Sequence, residues 1–198
     1  VSSVMERRNR PSLYSQDKER INLMTTDHPF AQFRFCPKCG SSNFVVHNEK
    51  SKECRDCGFV YYFNPSSSVV AVILNSKNEL LVCRRAKEPA KGTLDLPGGF
   101  SDCFETSEES VVREVKEETG LTVTDTKFLF SLPNTYLYSG FLVHTIDMFF
   151  RCEVADCTHL HAMDDVDDLI WTAIENLNPD DFGLLSIRKA ISQLKTIL

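Results

Sequence analysis

The chain has 198 residues, 42% of them hydrophobic and 25% charged, with a net charge of −6; these ordinary globular values exclude general disorder and suit one domain plus a small module. The acidic balance argues against a broad nucleic-acid or anionic-membrane surface. No run approaches the roughly 18 apolar residues of a membrane span, and the N-terminus lacks the apolar core of a secretory signal, so a soluble, cytoplasmic protein without a membrane partner is expected.

Residues 1–30 are polar, lack a sustained period and carry Pro11 and Pro29. They read as a mobile N-terminal arm. Next come Cys36-Pro-Lys-Cys39-Gly40 and Cys54-Arg-Asp-Cys57-Gly58, with residues 40–53 between the pairs. Two CxxC pairs at that spacing fit a small β-rich zinc ribbon over residues 31–64, each Gly permitting the turn that aims two thiolates at one tetrahedral ion. Four thiolates from Cys36, Cys39, Cys54 and Cys57 close the shell, so this Zn2+ is structural. The clustering also argues for metal in a reducing compartment over disulfides. A redox use would want a single pair in a βαβ setting. Phe44–His47 and Phe59–Phe63 are β-rich runs that supply the ribbon's hairpins. Such a module also serves elsewhere as a dimer contact, which leaves a homodimer open.

Asn64-Pro65-Ser66 marks the junction to a second domain, residues 65–198. Ser68–Leu74 and Leu80–Arg84 are β-rich and separated by a polar turn, as in a hairpin or neighbouring strands. Arg84, Arg85, Lys87 and Lys91 follow, with Arg84 a candidate phosphate contact. Pro97-Gly98-Gly99 then forms a loop in which Gly98 and Gly99 permit positive φ and the close approach of a diphosphate to main-chain N–H groups.

The stretch Ser107–Glu118 has good helix formers, no Gly or Pro, and Thr106 with Glu109 as a capping box, so it is expected to be helical. Glu114 and Glu118 are then i and i+4, with Glu117 beside them, which places three carboxylates on one face. Val111, Val112 and Val115 occupy the adjoining arc and are expected to bury it. Like charges so spaced repel, by roughly 0.2 to 0.5 kcal/mol per pair. A divalent cation reverses the sign, and hard oxygen ligands suit Mg2+ or Mn2+, which bridge phosphate oxygens and acidify bound water. A solvated acidic surface helix is the plainer reading of such a run.

Beyond the helix, Thr122–Leu132 reads as a strand, Tyr136–Gly140 as a turn and Leu142–Val154 as a long strand. Tyr136, Tyr138 and Phe141 could stack on a base or pack within a hairpin. The acidic run Asp164–Asp168 leads into Leu169-Ile-Trp171 as a loop entering a strand, and one of its Asp residues is a candidate further carboxylate for the metal. Gly183–Leu198 carries an apolar stripe at Leu184, Ile187, Ile191, Leu194 and Leu198, a core-facing helix.

Gly99, Glu105, Arg113, Glu114, Val115, Glu117, Glu118, Gly120 and Leu121 fill every fixed position of the pattern Gx5Ex7REUxEExGU, U being a bulky aliphatic. In this the chain resembles the Nudix hydrolases, which cut a diphosphate linking a nucleoside to another group. A zinc ribbon followed by this box, with Phe63-Asn64-Pro65 between them, resembles the NADH pyrophosphatase family over most of residues 36–198. The resemblance implies an α/β fold, an α/β/α sandwich with a mixed sheet. It also maps catalytic metal ligands onto Glu114 and Glu118 with Glu117 close by, gives Arg113 the task of holding a carboxylate, and adds Asp168, three residues before Trp171. Two departures stand out: Leu94 replaces the Trp common ahead of LPGG, and the downstream SQPWPFPxS signature is missing.

Together these readings predict a Mg2+- or Mn2+-dependent pyrophosphohydrolase acting on a small nucleoside diphosphate derivative, dinucleotide-like in the manner of NADH, ADP-ribose or FAD. Glu114, Glu117, Glu118 and Arg113 would carry the chemistry, and Gly98, Gly99, Arg84 and Tyr136 would bind substrate. The general base is one of the three Glu residues or an Asp between 164 and 168. The rival is a non-catalytic nucleotide-sensing regulator whose ribbon binds nucleic acid or protein. The intact box and the acidic balance argue against it, and nucleic acid is not an expected partner.

Overall fold

The computed structural model of the protein describes residues 28–157 and 160–198. All but the last three residues of the N-terminal arm expected over 1–30 lie outside the described residues.

Phe44–Asn48 (β1), Ser51–Cys54 (β2) and Val60–Tyr62 (β3) form an antiparallel sheet in the order β1-β2-β3. Gly40 and Gly58 take φ of +75° and +70°, and their N–H groups donate to the carbonyls of Cys36 and Cys54 at 2.8 and 2.9 Å. These left-handed positions close the two CxxC turns without a Cβ clash, and they gather the four sulfurs within 4.8 Å of one another.

The remaining strands are Ser66–Val72 (β4), Glu79–Arg85 (β5), Leu94–Asp95 (β6), Gly98–Phe100 (β7), Val123–Tyr138 (β8), Phe141–Val154 (β9) and Val166–Ala173 (β10). Among the described residues two α-helices, Ser107–Thr119 (α1) and Leu185–Ile197 (α2), accompany them. The larger sheet runs β7-β4-β9-β8 and is mixed, since β4 and β9 are parallel and the other pairs antiparallel. A smaller antiparallel sheet runs β10-β5-β6.

Alternation along β4 divides the core. Val69, Ala71 and Ile73 pack with Val111 and Val115 of α1, whereas Val70 and Val72 pack with Ile187, Ala190, Ile191 and Leu194 of α2. A period of two on the strand therefore feeds two helices on opposite faces, which gives the α/β/α layering. Of the final stripe, Leu184, Ile187, Ile191 and Leu194 face the core, whereas Leu198 is 52% exposed, and α2 begins at Leu185, two residues after Gly183. Val112 departs from expectation, being 38% exposed.

Two connections differ from the sequence reading. The runs around β4 and β5 meet only near their turn, through the Leu74–Leu80 bridge and the Leu81 N–H to Ile73 carbonyl bond of 3.0 Å. Beyond that point they part into different sheets. Tyr136 and Tyr138, expected in a turn, belong to β8; the turn narrows to Ser139-Gly140, with φ of +49° and +74°, between the paired residues Tyr138 and Phe141. Two positive φ values suit the right-handed twist of a two-residue hairpin, so the aromatic strand continues to its tip.

That tip carries the N-terminal module. Phe33 and Phe63 meet the Phe141 ring edge-on at centroid distances of 5.4 and 6.4 Å, Phe63 meets His144 at 5.3 Å, and the Gln32 side-chain amide donates to the Gly140 carbonyl at 2.8 Å. Phe30 stacks on Tyr61 at 5.0 Å behind them. Among the described residues no helix is long and apolar enough to cross a membrane.

Candidate active site

α1 starts at a reciprocal capping box: the Glu109 N–H donates to Thr106 Oγ1 at 3.2 Å, and the Thr106 N–H donates to Glu109 Oε2 at 2.8 Å. It ends on Gly120 at φ +72°. With both ends fixed and Val111 and Val115 buried, the adjoining arc points Glu114, Glu117 and Glu118 at a cleft of about 970 Å³.

Arg113 ties this face together. It donates to Glu105 through Nη2 at 2.6 Å and Nε at 3.1 Å, to Glu114 Oε1 at 2.8 Å, to Glu117 Oε2 at 3.0 Å and to the Phe100 carbonyl at 3.0 Å. One planar fork thus orients three carboxylates and the end of β7. Its hydrogen bonds hold the Glu105 carboxyl down at about 2. Glu114, more than half buried, moves upward, because desolvation outweighs the Arg113 contact.

Glu118 is 6% exposed and lacks Arg113; the Gly98 N–H donates to its Oε2 at 2.9 Å. Burial pushes its carboxyl up to about 8, the Gly98 bond opposing and the charges of Glu114, Asp95 and Asp165 adding to the rise. Its neighbours Gly98 and Gly99 are fixed by contact. At Gly98, with φ +151°, a Cβ would lie 2.1 Å from the Val69 carbonyl oxygen; at Gly99 it would lie 2.6 Å from Glu114 Oε1. The Pro97-Gly98-Gly99 stretch expected as a loop enters β7 at Gly98 and is pressed against the carboxylates, with the Gly98 N–H given to Glu118.

The donor types suit a hard divalent cation: Glu114, Glu117 and Glu118 are carboxylates lining one cleft, and Glu118 is buried with its charged form destabilised, although among the described residues only the cysteine quartet brings its ligand atoms within 4.8 Å of one another. Lining the same cleft are Arg85, which bonds Asp95 at 2.5 Å, and Lys87, which pairs with Asp165 and lies 3.8 Å from Asp164. Tyr136 also lines it. Arg84 and Asp168 do not: they face each other in the β5–β10 register, Arg84 donating to the Gly92 carbonyl at 2.8 Å and Asp168 accepting from the Leu169 N–H at 3.0 Å. Asp164 and Asp165, in the turn just before β10, line the cleft, whereas Asp168, within the strand, does not.

Asp95, Asn134 and Asp147, also in the lining, were missed from sequence. Each sits singly in a strand, and only the buried setting, 6%, 3% and 3% exposed, marks them as unusual.

At the N-terminal module, Sγ–Sγ separations of 3.8 Å for Cys36–Cys57 and 3.6 Å for Cys39–Cys54 are close to the edge of about 3.8 Å that a tetrahedron of ~2.3 Å Zn–S bonds requires. A disulfide would need about 2.05 Å.

A NUDIX domain model matches residues 64–193. The NAD-capped RNA hydrolase NudC of Vibrio cholerae is 29% identical over 153 residues, 77% of this chain and 54% of that protein. The ADP-ribose pyrophosphatase of Methanocaldococcus jannaschii is 50% identical over 60 residues, 30% of this chain and 35% of that protein. Across four Vibrio relatives the matched stretch spans 39% to 54% of their length. Among solved structures, a NUDIX hydrolase from Nitrosomonas europaea superposes with a TM-score of 0.64 at 21% identity, covering 82% of this chain and 90% of that one. With two thirds of its length matched by one family model and its fold shared, this chain belongs to the Nudix family.

Proposed function

We propose that the chain is a divalent-cation-dependent pyrophosphohydrolase that cuts the diphosphate of a dinucleotide-like substrate such as NADH, ADP-ribose or FAD. The observation that carries this reading is the convergence of Glu114, Glu117 and Glu118 with the Gly98-Gly99 backbone in one large cleft. The NudC and ADP-ribose pyrophosphatase names of its relatives support the dinucleotide class.

Glu114, Glu117 and Glu118 would hold Mg2+ or Mn2+, which when bound lowers the pKa of water and neutralises phosphate charge. Arg113 keeps Glu114 and Glu117 in one orientation through its fork. Gly98 and Gly99 let the diphosphate approach the main chain, and Gly98 anchors Glu118. Lys87, Arg85 and Lys91 line the cleft as cations for phosphate oxygens. Asp164 or Asp165, near the cleft mouth at Lys87, is the candidate to accept a proton from attacking water. Cys36, Cys39, Cys54 and Cys57 would hold Zn2+ in a closed, structural site.

The test is a panel of NADH, ADP-ribose, FAD, diadenosine polyphosphates and nucleoside triphosphates with Mg2+ or Mn2+, followed by phosphate-product analysis. Cleavage of one of the first three at the diphosphate is expected. A clear preference for triphosphates would overturn the dinucleotide assignment.

A further inference from the structure

Outside the acidic face of α1, the same cleft is lined by Asn134, Thr145 and Asp147. Asn134 pairs with Thr145 and Leu132 with Asp147 across β8–β9, so Asn134, Thr145 and Asp147 share one face of the sheet. Asn134 is 3% exposed, and its Oδ1 has no hydrogen-bond partner. Asp147 is equally buried and is held from both sides, Thr145 Oγ1 donating to Oδ1 and Ser186 Oγ to Oδ2, each at 2.5 Å.

Both hydroxyls direct their single proton at Asp147, while each carboxylate oxygen keeps a second lone pair. Asn134, with its unpaired acceptor Oδ1, and Asp147 thus both belong to the cleft wall. A buried acceptor left unmade destabilises a fold, and native proteins keep few of them. A ligand that supplies an N–H donor would relieve it.

We propose that Asn134 and Asp147 form a subsite for a nitrogenous ring bearing an NH2 group, either the exocyclic amine of adenine or the carboxamide of nicotinamide. This deepens the dinucleotide reading, on which it rests for its physiological ligand: the cleft takes a diphosphate at the glutamates and selects an amino-bearing ring at the β8–β9 wall. Sites that must hydrogen-bond a ligand group discriminate strongly against analogues lacking it, because the protein group is then left unpaired.

Equilibrium binding to the full chain decides it without needing turnover, using AMP against IMP and nicotinamide mononucleotide against its nicotinic acid counterpart. The two pairs separate the two sources of the NH2. In at least one pair the amino or amide member is expected to bind about tenfold more tightly, and Asn134→Leu is expected to bring that ratio close to one. Asn134→Asp, which keeps an acceptor, retains the preference. Asn134→Leu should not lower the unfolding temperature, since it removes an unpaired polar group, whereas a merely structural Asn would lower it. Equal binding within both pairs, a reversed preference, no binding of any of the four, or a preference that survives in folded Asn134→Leu overturns the subsite. If Asn134→Leu does not fold, the wild-type ratios and Asn134→Asp decide alone. Intact discrimination without any hydrolysis would remove the hydrolase reading and keep the subsite; hydrolysis without discrimination does the reverse.

Discussion

The Gly98 N–H and Glu118 Oε2 lie 2.9 Å apart, joining the start of β7 to the last turn of α1. Glu118 is nearly buried, its charge unfavoured by desolvation, and this single backbone donor is its only hydrogen-bond partner among the described residues. The arrangement stores an electrostatic cost that a cation would relieve.

The two glycines beside this bond should fail in different ways. Gly98→Ala drives a Cβ into the Val69 backbone at positive φ, so unfolding is expected to become easier by about 2 kcal/mol or more. Gly99→Ala meets only the end of the Glu114 side chain, which can swing. Its unfolding temperature should stay near wild type while kcat falls about tenfold or more, through misplacement of that carboxylate. Thermal melts and steady-state kinetics on the pair check this; equal destabilisation of both variants contradicts it.

Without added metal, Glu118 also sets a pH trend. Its folded pKa of about 8 lies above the ordinary glutamate value, so between roughly pH 4.5 and 8 the folded state holds a proton the unfolded state has lost. Stability from this group is therefore present at low pH and lost as pH rises toward 8. Glu118→Gln removes that loss. In chelator at pH 8 the variant is expected to melt roughly 3 °C higher, the shift that ~1 kcal/mol produces in a domain of this size, and the gain should vanish at pH 4.5. A lower melting temperature at pH 8 would count against the buried, unpaired carboxylate.

The helix and both CxxC turns were legible because their signals are local. Capping at Thr106 and Glu109, the i, i+4 spacing of Glu114 and Glu118, and the glycines after each cysteine pair depend on neighbours a few residues away. What depended on strand phase was not. Arg85 rather than Arg84 lines the cleft, because successive side chains of a strand point to opposite faces, and Asp164 and Asp165, in the turn before β10, line it where Asp168 does not. Asn134 and Asp147 had no sequence signal at all; the β8–β9 pairing brings them to one face. The turn expected over Tyr136–Gly140 is only Ser139-Gly140, because long-range pairing with β9 carries Tyr136 and Tyr138 into β8.

The aromatic contacts of Phe33 and Phe63 with Phe141 make the N-terminal module a brace for the β8–β9 tip, close to Tyr136 and Tyr138. Cys54→Ser should lower zinc from one ion per chain to a substoichiometric content and loosen that brace. KM for the dinucleotide is expected to rise by about threefold to tenfold, with kcat changed less than twofold, because α1 and its carboxylates stand apart from the module. Metal analysis and kinetics in the same preparation decide; unchanged zinc would refute the four-cysteine site, and unchanged KM would refute the brace.

The most direct measurement is Mg2+-dependent turnover of ADP-ribose and NADH by wild type and Glu118→Gln, with the folded state of both confirmed by thermal melts. The near-isosteric change removes the charge and keeps an oxygen for the Gly98 N–H. The account predicts wild-type cleavage at the diphosphate and a fall of about a hundredfold or more in kcat for the variant, the scale on which loss of one charge-stabilising group acts. Retention of more than about a tenth of the wild-type rate in a folded Glu118→Gln variant would contradict it and remove Glu118 from the reacting site.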